Sequence, residues 1–202
     1  MMRYTFFSFF LLFLCLGKQA SIAQSLASGV IVFDKEAKDS LAFTNNWAYP
    51  WWVIKDDNGK FDKNEDGEIT KKDTAHLYFT ADCKTNVQGG YAIKYCYATR
   101  KATGINLSFN DGLPAYASEF NIFISNGRFS VAPRIVYPQL IAGTMATYAV
   151  TKRRLVLYNK KYTTSKEISG YIDVEFTETL ISSHTKKHQY YLRGYFKTPV
   201  SS

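Results

Sequence analysis

Apolar and polar residues alternate along several stretches of this chain, which is the pattern of β-strands with one buried face. In residues 119–125 every second residue, starting from Phe120, is large and apolar. Asn126 and Gly127 follow, and Phe129 and Val131 continue the alternation beyond them. Asn-Gly is a preferred pair for a two-residue turn between antiparallel strands. The pattern therefore predicts a β-hairpin centred on Asn126 and Gly127.

The same period of two recurs along the rest of the chain. Residues 172–176 alternate apolar with acidic side chains, and near the end of the chain Tyr190, Leu192 and Phe196 alternate with Arg193 and Lys197, which indicates two more half-buried strands. Further predicted strands, each bounded by turn-forming residues, are Gly29–Phe33, 77–82, 105–109 and 154–159. Residues 139–150 fit either a short helix or a strand, and residues 69–75 are predicted to form one helical turn.

Many short strands with few helical segments predict a mainly β fold, since a parallel sheet would need helical crossovers. We expect a single antiparallel β-sandwich-like domain over residues 24–202, with a closed β-barrel as the alternative. Composition agrees, because 46% of residues are hydrophobic, 16% are aromatic and only 21% are charged. That balance argues against disorder and favours pleated, half-buried surfaces.

Residues 1–23 have the pattern of a secretory signal peptide. Arg3 supplies the positive start, residues 6–16 are almost wholly apolar, and Ala23 is a small residue at the predicted cleavage position. The apolar run is shorter than the roughly 20 residues that a transmembrane helix needs, and no later segment is long enough. The sequence predicts an extracytoplasmic protein, whether periplasmic, secreted or at the cell surface, with no transmembrane segment.

Two cysteines, Cys83 and Cys96, follow the predicted signal peptide. Gly89 and Gly90 between them signal a two-residue turn. A hairpin centred there places the two cysteines opposite each other in a close, non-hydrogen-bonded pair, which suits a disulfide in an oxidising compartment. A disulfide is therefore predicted, with two buried thiols as the alternative.

The segment 62–73 places oxygen-bearing residues at the spacing of a loop that wraps around a cation. Gly67 stands where the backbone needs a positive φ, and Ile69 is expected to pack beneath the loop. The predicted oxygen ligands, in chain order, are Asp62, Asn64, Asp66, the carbonyl of Glu68, Thr70 and Asp73. Calcium takes six to eight oxygen ligands in such loops, so Ca2+ is the predicted cofactor.

These residues resemble the EF-hand loop family, and bacterial loops of the dockerin kind look similar. The resemblance covers only residues 62–73. Asp73 stands where the family has a glutamate that binds with both oxygens, so we expect an affinity in the weaker range of extracellular modules. Residues 51–59 contain Asp, Asn and Gly instead of helix formers, so the incoming helix is expected to be short or missing. A solvated acidic turn is the alternative to a structural calcium site.

Four aromatic residues precede this segment: Trp47, Tyr49, Trp51 and Trp52. Exposed rings of this kind can stack on sugars or other flat ligands, and an ordered loop beside them would hold such a ligand platform rigid. The alternative is that the rings fill one end of the sandwich core.

No catalytic motif is evident: the sequence has no Gly-x-Ser-x-Gly elbow, no His-Glu-x-x-His and no phosphate-binding Gly-rich loop. The formal net charge is +8, but no nucleic-acid-binding motif accompanies it, and export would remove access to the chromosome. We therefore expect no nucleic-acid partner, and a glycan or a cell-envelope component in its place.

Two functions of different classes remain open. The first is an exported, non-catalytic β-sandwich module with one structural calcium site that binds a glycan or envelope component. The second is a secreted hydrolase whose acidic catalytic pair comes from separate strands. The sequence identifies no catalytic residue for the second function, and it leaves open whether the protein is an enzyme.

Overall fold

The computed structural model describes residues 28–35, 37–63, 67–110, 118–137, 144–163, 165–182 and 184–202, so the predicted signal peptide lies outside the described residues. Two 3-10 helices span Ala37–Asn45 and Val87–Gly89. The strands are β1 (Gly29–Phe33), β2 (Trp47–Ala48), β3 (Val53–Lys55), β4 (Phe61–Lys63), β5 (Leu77–Tyr78), β6 (Ala81–Thr85), β7 (Tyr91–Ile93), β8 (Tyr95–Lys101), β9 (Gly104–Asn110), β10 (Glu119–Ser125), β11 (Arg128–Arg134), β12 (Met145–Leu157), β13 (Glu167–Ile181) and β14 (Lys186–Ser201).

Most of these strands belong to one large mixed sheet, and its two halves, called the first and the second sheet below, enclose one apolar core. The first sheet has the order β1-β11-β10-β9-β8-β14, and the second has the order β1-β12-β13-β14-β6-β7. Because β1 and β14 take part in both, hydrogen bonding is continuous from one sheet to the other. The predicted mainly β, sandwich-like fold is confirmed.

The sequence predicts an antiparallel domain, and two strand pairs depart from that arrangement. β1 pairs with β12 in parallel, and so does β14 with β8. Both pairs lie where the two sheets meet, and each joins strands that are far apart in the sequence. No hairpin turn links these strands, so no turn constrains them to run in opposite directions.

The core is built by the inward side of each alternating strand, and the two sheets meet through aromatic rings. Phe109 of β9 contacts Phe196 of β14 edge to face, with ring centroids 5.5 Å apart. Phe120 of β10 contacts Phe176 of β13 in the same manner at 5.9 Å. All four rings are buried, so the predicted alternation of β10, β13 and β14 describes the real core.

The predicted hairpin at Asn126 and Gly127 is confirmed. Asn126 has φ 48° and Gly127 has φ 73°, as a two-residue turn of the preferred twist requires. Ser125 and Arg128 form the cross-strand pair that flanks the turn. Within the predicted segment 77–82 the chain instead forms two strands, β5 and β6, and residues 145–150 of the ambiguous segment are strand.

The predicted register around the two cysteines is wrong. Thr85 pairs with Tyr91, so residues 86–90 form the connection in place of a two-residue turn, and Cys83 faces Ile93. Cys96 lies on β8 opposite Phe109. Both cysteines are free, buried thiols, as in the alternative that the sequence left open. Burial raises the pKa of both thiols, which makes them small, unreactive core residues.

Candidate ligand cleft and calcium loop

Residues 46–79 leave the sandwich and return to it at nearly the same point. The Phe79 N–H donates to the Asn46 carbonyl at 2.9 Å, and β2 pairs with β5 just inside that bond. We call residues 46–79 the excursion. It contains all three tryptophans of the chain and the whole segment 62–73.

Inside the excursion, β3 and β4 form a hairpin that leads directly into the predicted calcium segment. Its turn is closed by the Asp56 side chain, which accepts a hydrogen bond from the Lys60 N–H at 2.7 Å. Such a side-chain bond favours turns over helices. A hairpin, and not a helix, therefore precedes the described start of that segment, where the sequence led us to expect a short or missing helix.

Asp73 is the centre of a hydrogen-bonded cluster at the end of that segment. Its carboxylate accepts bonds from the Lys63 ammonium at 2.8 Å, from the Thr70 N–H at 2.8 Å and from the Thr70 hydroxyl at 2.7 Å. The indole N–H of Trp52 donates to the other carboxylate oxygen at 3.1 Å. The bond from Lys63, followed by those from Thr70 and Trp52, lowers the pKa of Asp73 well below its usual range, so the carboxylate is ionised.

The structure brings together only some of the predicted calcium ligands. The Lys63 ammonium also contacts the Glu68 carbonyl at 2.9 Å, so Glu68 and Asp73 converge on one positive charge. Asp62 is exposed, and strand alternation places it on the opposite face of β4 from Lys63. Asn64 and Asp66 lie outside the described residues. Among the residues that are described, no three acidic, histidine or cysteine side chains form a group that could hold a metal ion.

A cleft of about 240 Å³ lies between the excursion and the outer face of β8. The residues that line it are Ala48, Tyr49, Pro50, Trp51, Trp52, Leu77, Lys94, Tyr95 and Tyr97. Most of this lining is aromatic or aliphatic, and Lys94 is the charged residue among the described residues that form it. An apolar wall with a few polar groups is the usual composition of a small-molecule site.

Four of the five rings that line the cleft form two pairs, one on each side. Trp51 and Trp52 contact edge to face at 5.9 Å, whereas Tyr95 and Tyr97 are nearly parallel, at 20° and 6.4 Å. Trp51 is 41% exposed and Tyr97 is 52% exposed. Trp52 is held by its bond to Asp73. These rings therefore do not fill the sandwich core, and the alternative reading of the aromatic cluster is wrong.

Trp47 does not line the cleft, although the sequence grouped it with the platform. It stacks on His76 with ring centroids 3.5 Å apart and contacts Tyr49 edge to face at 5.1 Å. Tyr49 in turn contacts Phe61 at 5.1 Å. These contacts link β2 to β4 and so stiffen the excursion behind the cleft.

Sequence reasoning missed the half of the cleft that β8 supplies. Tyr95 and Tyr97 lie two residues apart on either side of the buried Cys96, so strand alternation places both on the outer face. That signal was present in the sequence. Nothing in the sequence signals that Trp51 lies close to β8, because that proximity depends on how the excursion folds back.

A second polar cluster lies in the core, around Glu178 on β13. This carboxylate has no exposure and accepts hydrogen bonds from the hydroxyls of Tyr137 and Tyr148. Tyr148 also accepts a bond from the Ile135 N–H at 3.2 Å. Burial is the main cause of a raised pKa at both hydroxyls, and it raises the pKa of Tyr148 to about 12. Both tyrosines therefore remain protonated donors.

Two more carboxylates lie on the outer face of β13 and are neutralised by their neighbours. Asp173 contacts the Lys152 ammonium at 2.8 Å and the Arg193 guanidinium at 2.9 Å. Glu175 contacts the same two cations at 3.4 and 3.1 Å. This arrangement is a charge network on the outer face of β13, in which the two carboxylates share the same two cations.

Comparison of the chain with protein-family models, with curated proteins and with solved structures finds no significant match. Within the described residues, no helix is both long and apolar enough to cross a lipid bilayer.

Proposed function

We propose that this protein is an exported, non-catalytic β-sandwich module that binds a saccharide in the cleft of the excursion. The observation that carries the proposal is the exposure of Trp51 and Tyr97 on opposite sides of one cleft. Large aromatic side chains are normally interior. Their presentation to solvent, on a framework stiffened by stacking and hydrogen bonds, supports a binding role.

The chemistry of the lining suits a sugar ring. A pyranose has apolar C–H faces and a rim of hydroxyls, whereas Trp and Tyr have apolar faces and polar edges. Burial, followed by the neighbouring Tyr97, raises the pKa of Tyr95, so its hydroxyl stays protonated and can donate or accept. The two pairs of rings could therefore contact a sugar face while their polar edges meet its hydroxyls.

The size of the cleft favours one unit of a longer chain over a compact ligand. Pockets for drug-sized molecules occupy about 300–1,000 Å³. The cleft is smaller, at about 240 Å³, and its outer rings are open to solvent. A polysaccharide or envelope glycan that passes across the opening would place a single ring inside it.

Calcium and export remain parts of this proposal. The ion would be held in segment 62–73, where Glu68 and Asp73 converge, and binding there would require Asp62 to turn from the opposite face of β4. The convergence of Glu68 and Asp73 on the Lys63 ammonium supports a preference for a cation there. Because Asp73 also binds Trp52, a charge at this position would help to hold one wall of the cleft. The predicted signal peptide, residues 1–23, provides the basis for export.

Replacing Trp51 by alanine is expected to weaken saccharide binding about five- to 150-fold. Stacking of a flat ring on an aromatic side chain contributes about 1–3 kcal/mol, and 1.4 kcal/mol corresponds to a tenfold change. A glycan array would identify a ligand, and calorimetry on residues 24–202 would measure the affinity. Because all three tryptophans lie in the excursion, a change in their fluorescence would report binding.

Tyr78→Ala is the matched control for this experiment. Tyr78 is 57% exposed on the same excursion but does not line the cleft, so its loss should leave the affinity unchanged. Equal losses in both variants would point to unfolding of the excursion instead of a binding role. An array that gives no glycan signal, or a signal only for proline-rich peptides tested beside it, would contradict the saccharide assignment.

Calcium is expected to raise the melting temperature of the protein by several degrees, and Asp62→Ala should abolish that shift. At about 10 mM calcium and an affinity of about 10⁻⁴–10⁻³ M, mass action contributes about 1.4–2.7 kcal/mol. Asp62 is exposed, so its replacement should not change the melt in chelator. Asp57→Ala, in the neighbouring turn but outside the ligand set, should keep the calcium response. Identical melts of the wild type in calcium and in chelator would refute the calcium part.

The hydrolase alternative needs two carboxylates that face one cleft about 5–10 Å apart. In the described residues, Asp173 and Glu175 are tied to Lys152 and Arg193, and Glu178 is fully buried among tyrosines. The aromatic cleft therefore favours the binding module, and hydrolysis remains an untested prediction.

A further inference from the structure

We infer that the cleft selects an acidic saccharide, one whose sugar ring carries a carboxylate, and that Lys94 is the residue that recognises this group. The inference rests on the proposed saccharide function and adds to it the charge of the ligand. Lys94 lies in the lining beside Tyr95.

The position of Lys94 is fixed by its backbone. It stands between β7 and β8, and its carbonyl accepts the N–H groups of Thr80 and Ala81 at 3.0 and 2.9 Å. Its side chain is exposed, and the ammonium lies 5.0 Å from the centroid of the Phe79 ring. A lysine with an anchored backbone and a stem against an aromatic ring presents its charge in a limited region, at the edge of the cleft.

The charge of Lys94 is not neutralised by the carboxylates that the structure describes. Lys63 and Lys152 each form an ion pair at 2.8 Å, whereas no ion pair within the described residues includes Lys94. Among the described residues, none that lines the cleft is acidic. A ligand carboxylate would therefore meet a positive charge without a competing anion, in a partly apolar cleft where charge pairs are stronger than in water.

The two pairs of rings and Lys94 would thus recognise different parts of the ligand. The rings contact the faces of a sugar of either kind, and the ammonium distinguishes a uronic acid from its neutral counterpart. A charged hydrogen bond of this type is strong when it is sheltered from water and weaker when it is exposed, as it is at the edge of this cleft. Selectivity for the charged sugar should therefore be about five- to tenfold, and it should fall as salt is added.

The test is calorimetry of residues 24–202 with uronate oligosaccharides and with the same oligosaccharides after reduction of their carboxyl groups. The set should include galacturonate, mannuronate and glucuronate polymers. The wild type is expected to bind at least one acidic oligosaccharide five- to tenfold more tightly than its reduced form. Lys94→Gln should abolish that difference without changing the affinity for the reduced form, and Lys94→Arg should restore it.

Lys55→Gln is the matched control. Lys55 lies in the same excursion with its ammonium 5.4 Å from the centroid of the Phe61 ring, but it does not line the cleft. Lys55→Gln removes one positive charge, as Lys94→Gln does. Because Lys55 lies outside the cleft, the selectivity for the acidic oligosaccharide should not change. Equal losses in Lys94→Gln and Lys55→Gln would show a non-specific effect of net charge and overturn the inference.

The outcomes separate this inference from the proposed function. Equal affinity for acidic and reduced oligosaccharides would overturn the role of Lys94 and leave saccharide binding in place. Binding of neutral glycans alone would do the same. A failure of every saccharide in both this set and the array would overturn the proposed function, and the inference with it.

Discussion

Replacing Gly194 by alanine is expected to destabilise the protein by about 3–5 kcal/mol, because the new methyl group would collide with the backbone of a neighbouring strand. Gly194 lies in β14 opposite Cys83 of β6. A Cβ there would be 2.1 Å from the Asp82 carbonyl oxygen and 2.5 Å from the Cys83 Cα. Its φ of 151° is also in the region that side chains disfavour.

The collision matters because β14 joins the two sheets. It pairs with β13, β6 and β8, so a shift that relieves the contact with β6 must be accommodated by strands on both sides of the core. Urea unfolding followed by tryptophan fluorescence and by circular dichroism would measure the loss, with the two probes reporting the excursion and the sheets respectively.

Gly89→Ala separates the collision from the effect of φ alone. Gly89 has φ 90°, and an added Cβ would have no atom within 4 Å. The free energy of unfolding of Gly89→Ala should therefore fall by only about 1–2 kcal/mol, the typical penalty of a left-handed residue with a side chain. A Gly194→Ala protein no less stable than Gly89→Ala would show that β6 and β14 do not approach as closely as the structure has them.

Features that depend on a few adjacent residues could be predicted from the sequence. The turn at Asn126 and Gly127 is an example, because two positive φ angles suit an Asn-Gly pair whatever surrounds it. The apolar face of β10 followed from period two alone. The register of Cys83 and Cys96 could not be predicted in the same way, because Gln88 also adopts a positive φ of 52° and lengthens the connection. A glycine pair signals a turn but not which residues close it.

The candidate site combined predictable and unpredictable parts. The aromatic cluster around Pro50 was visible in the sequence, and its exposure follows from its place in the excursion. Its partners Tyr95 and Tyr97 come from a strand that is distant along the chain, and only the tertiary fold brings them to Trp51. The calcium template likewise described spacing but not strand faces, so it did not anticipate that Asp62 and Lys63 would point to opposite sides of β4.

Replacing Glu178 by leucine is the second change with a large expected effect, a loss of about 2–4 kcal/mol. Alternation predicts an apolar residue after Ile172, Val174 and Phe176, yet a glutamate with no exposure occupies the next position on that face. Leucine would restore the apolar pattern. It would also remove the carboxylate that accepts from the hydroxyls of Tyr137 and Tyr148, and the loss of a buried hydrogen-bond partner costs about 1–3 kcal/mol.

Two further variants decide whether the hydrogen bonds are the cause. Glu178→Gln keeps the volume and one carbonyl oxygen, and the tyrosine hydroxyls can rotate to accept from its amide, so it should lose about 1 kcal/mol. Glu175 lies on the opposite face of the same strand, where its carboxylate is 45% exposed and ion-paired. Glu175→Leu should therefore lower the free energy of unfolding by at most about 1 kcal/mol. Unfolding in urea at pH 7 would give all three values. If Glu178→Leu were as stable as the wild type, the apolar pattern would outweigh the tyrosine contacts, and the buried carboxylate would need an explanation other than stability.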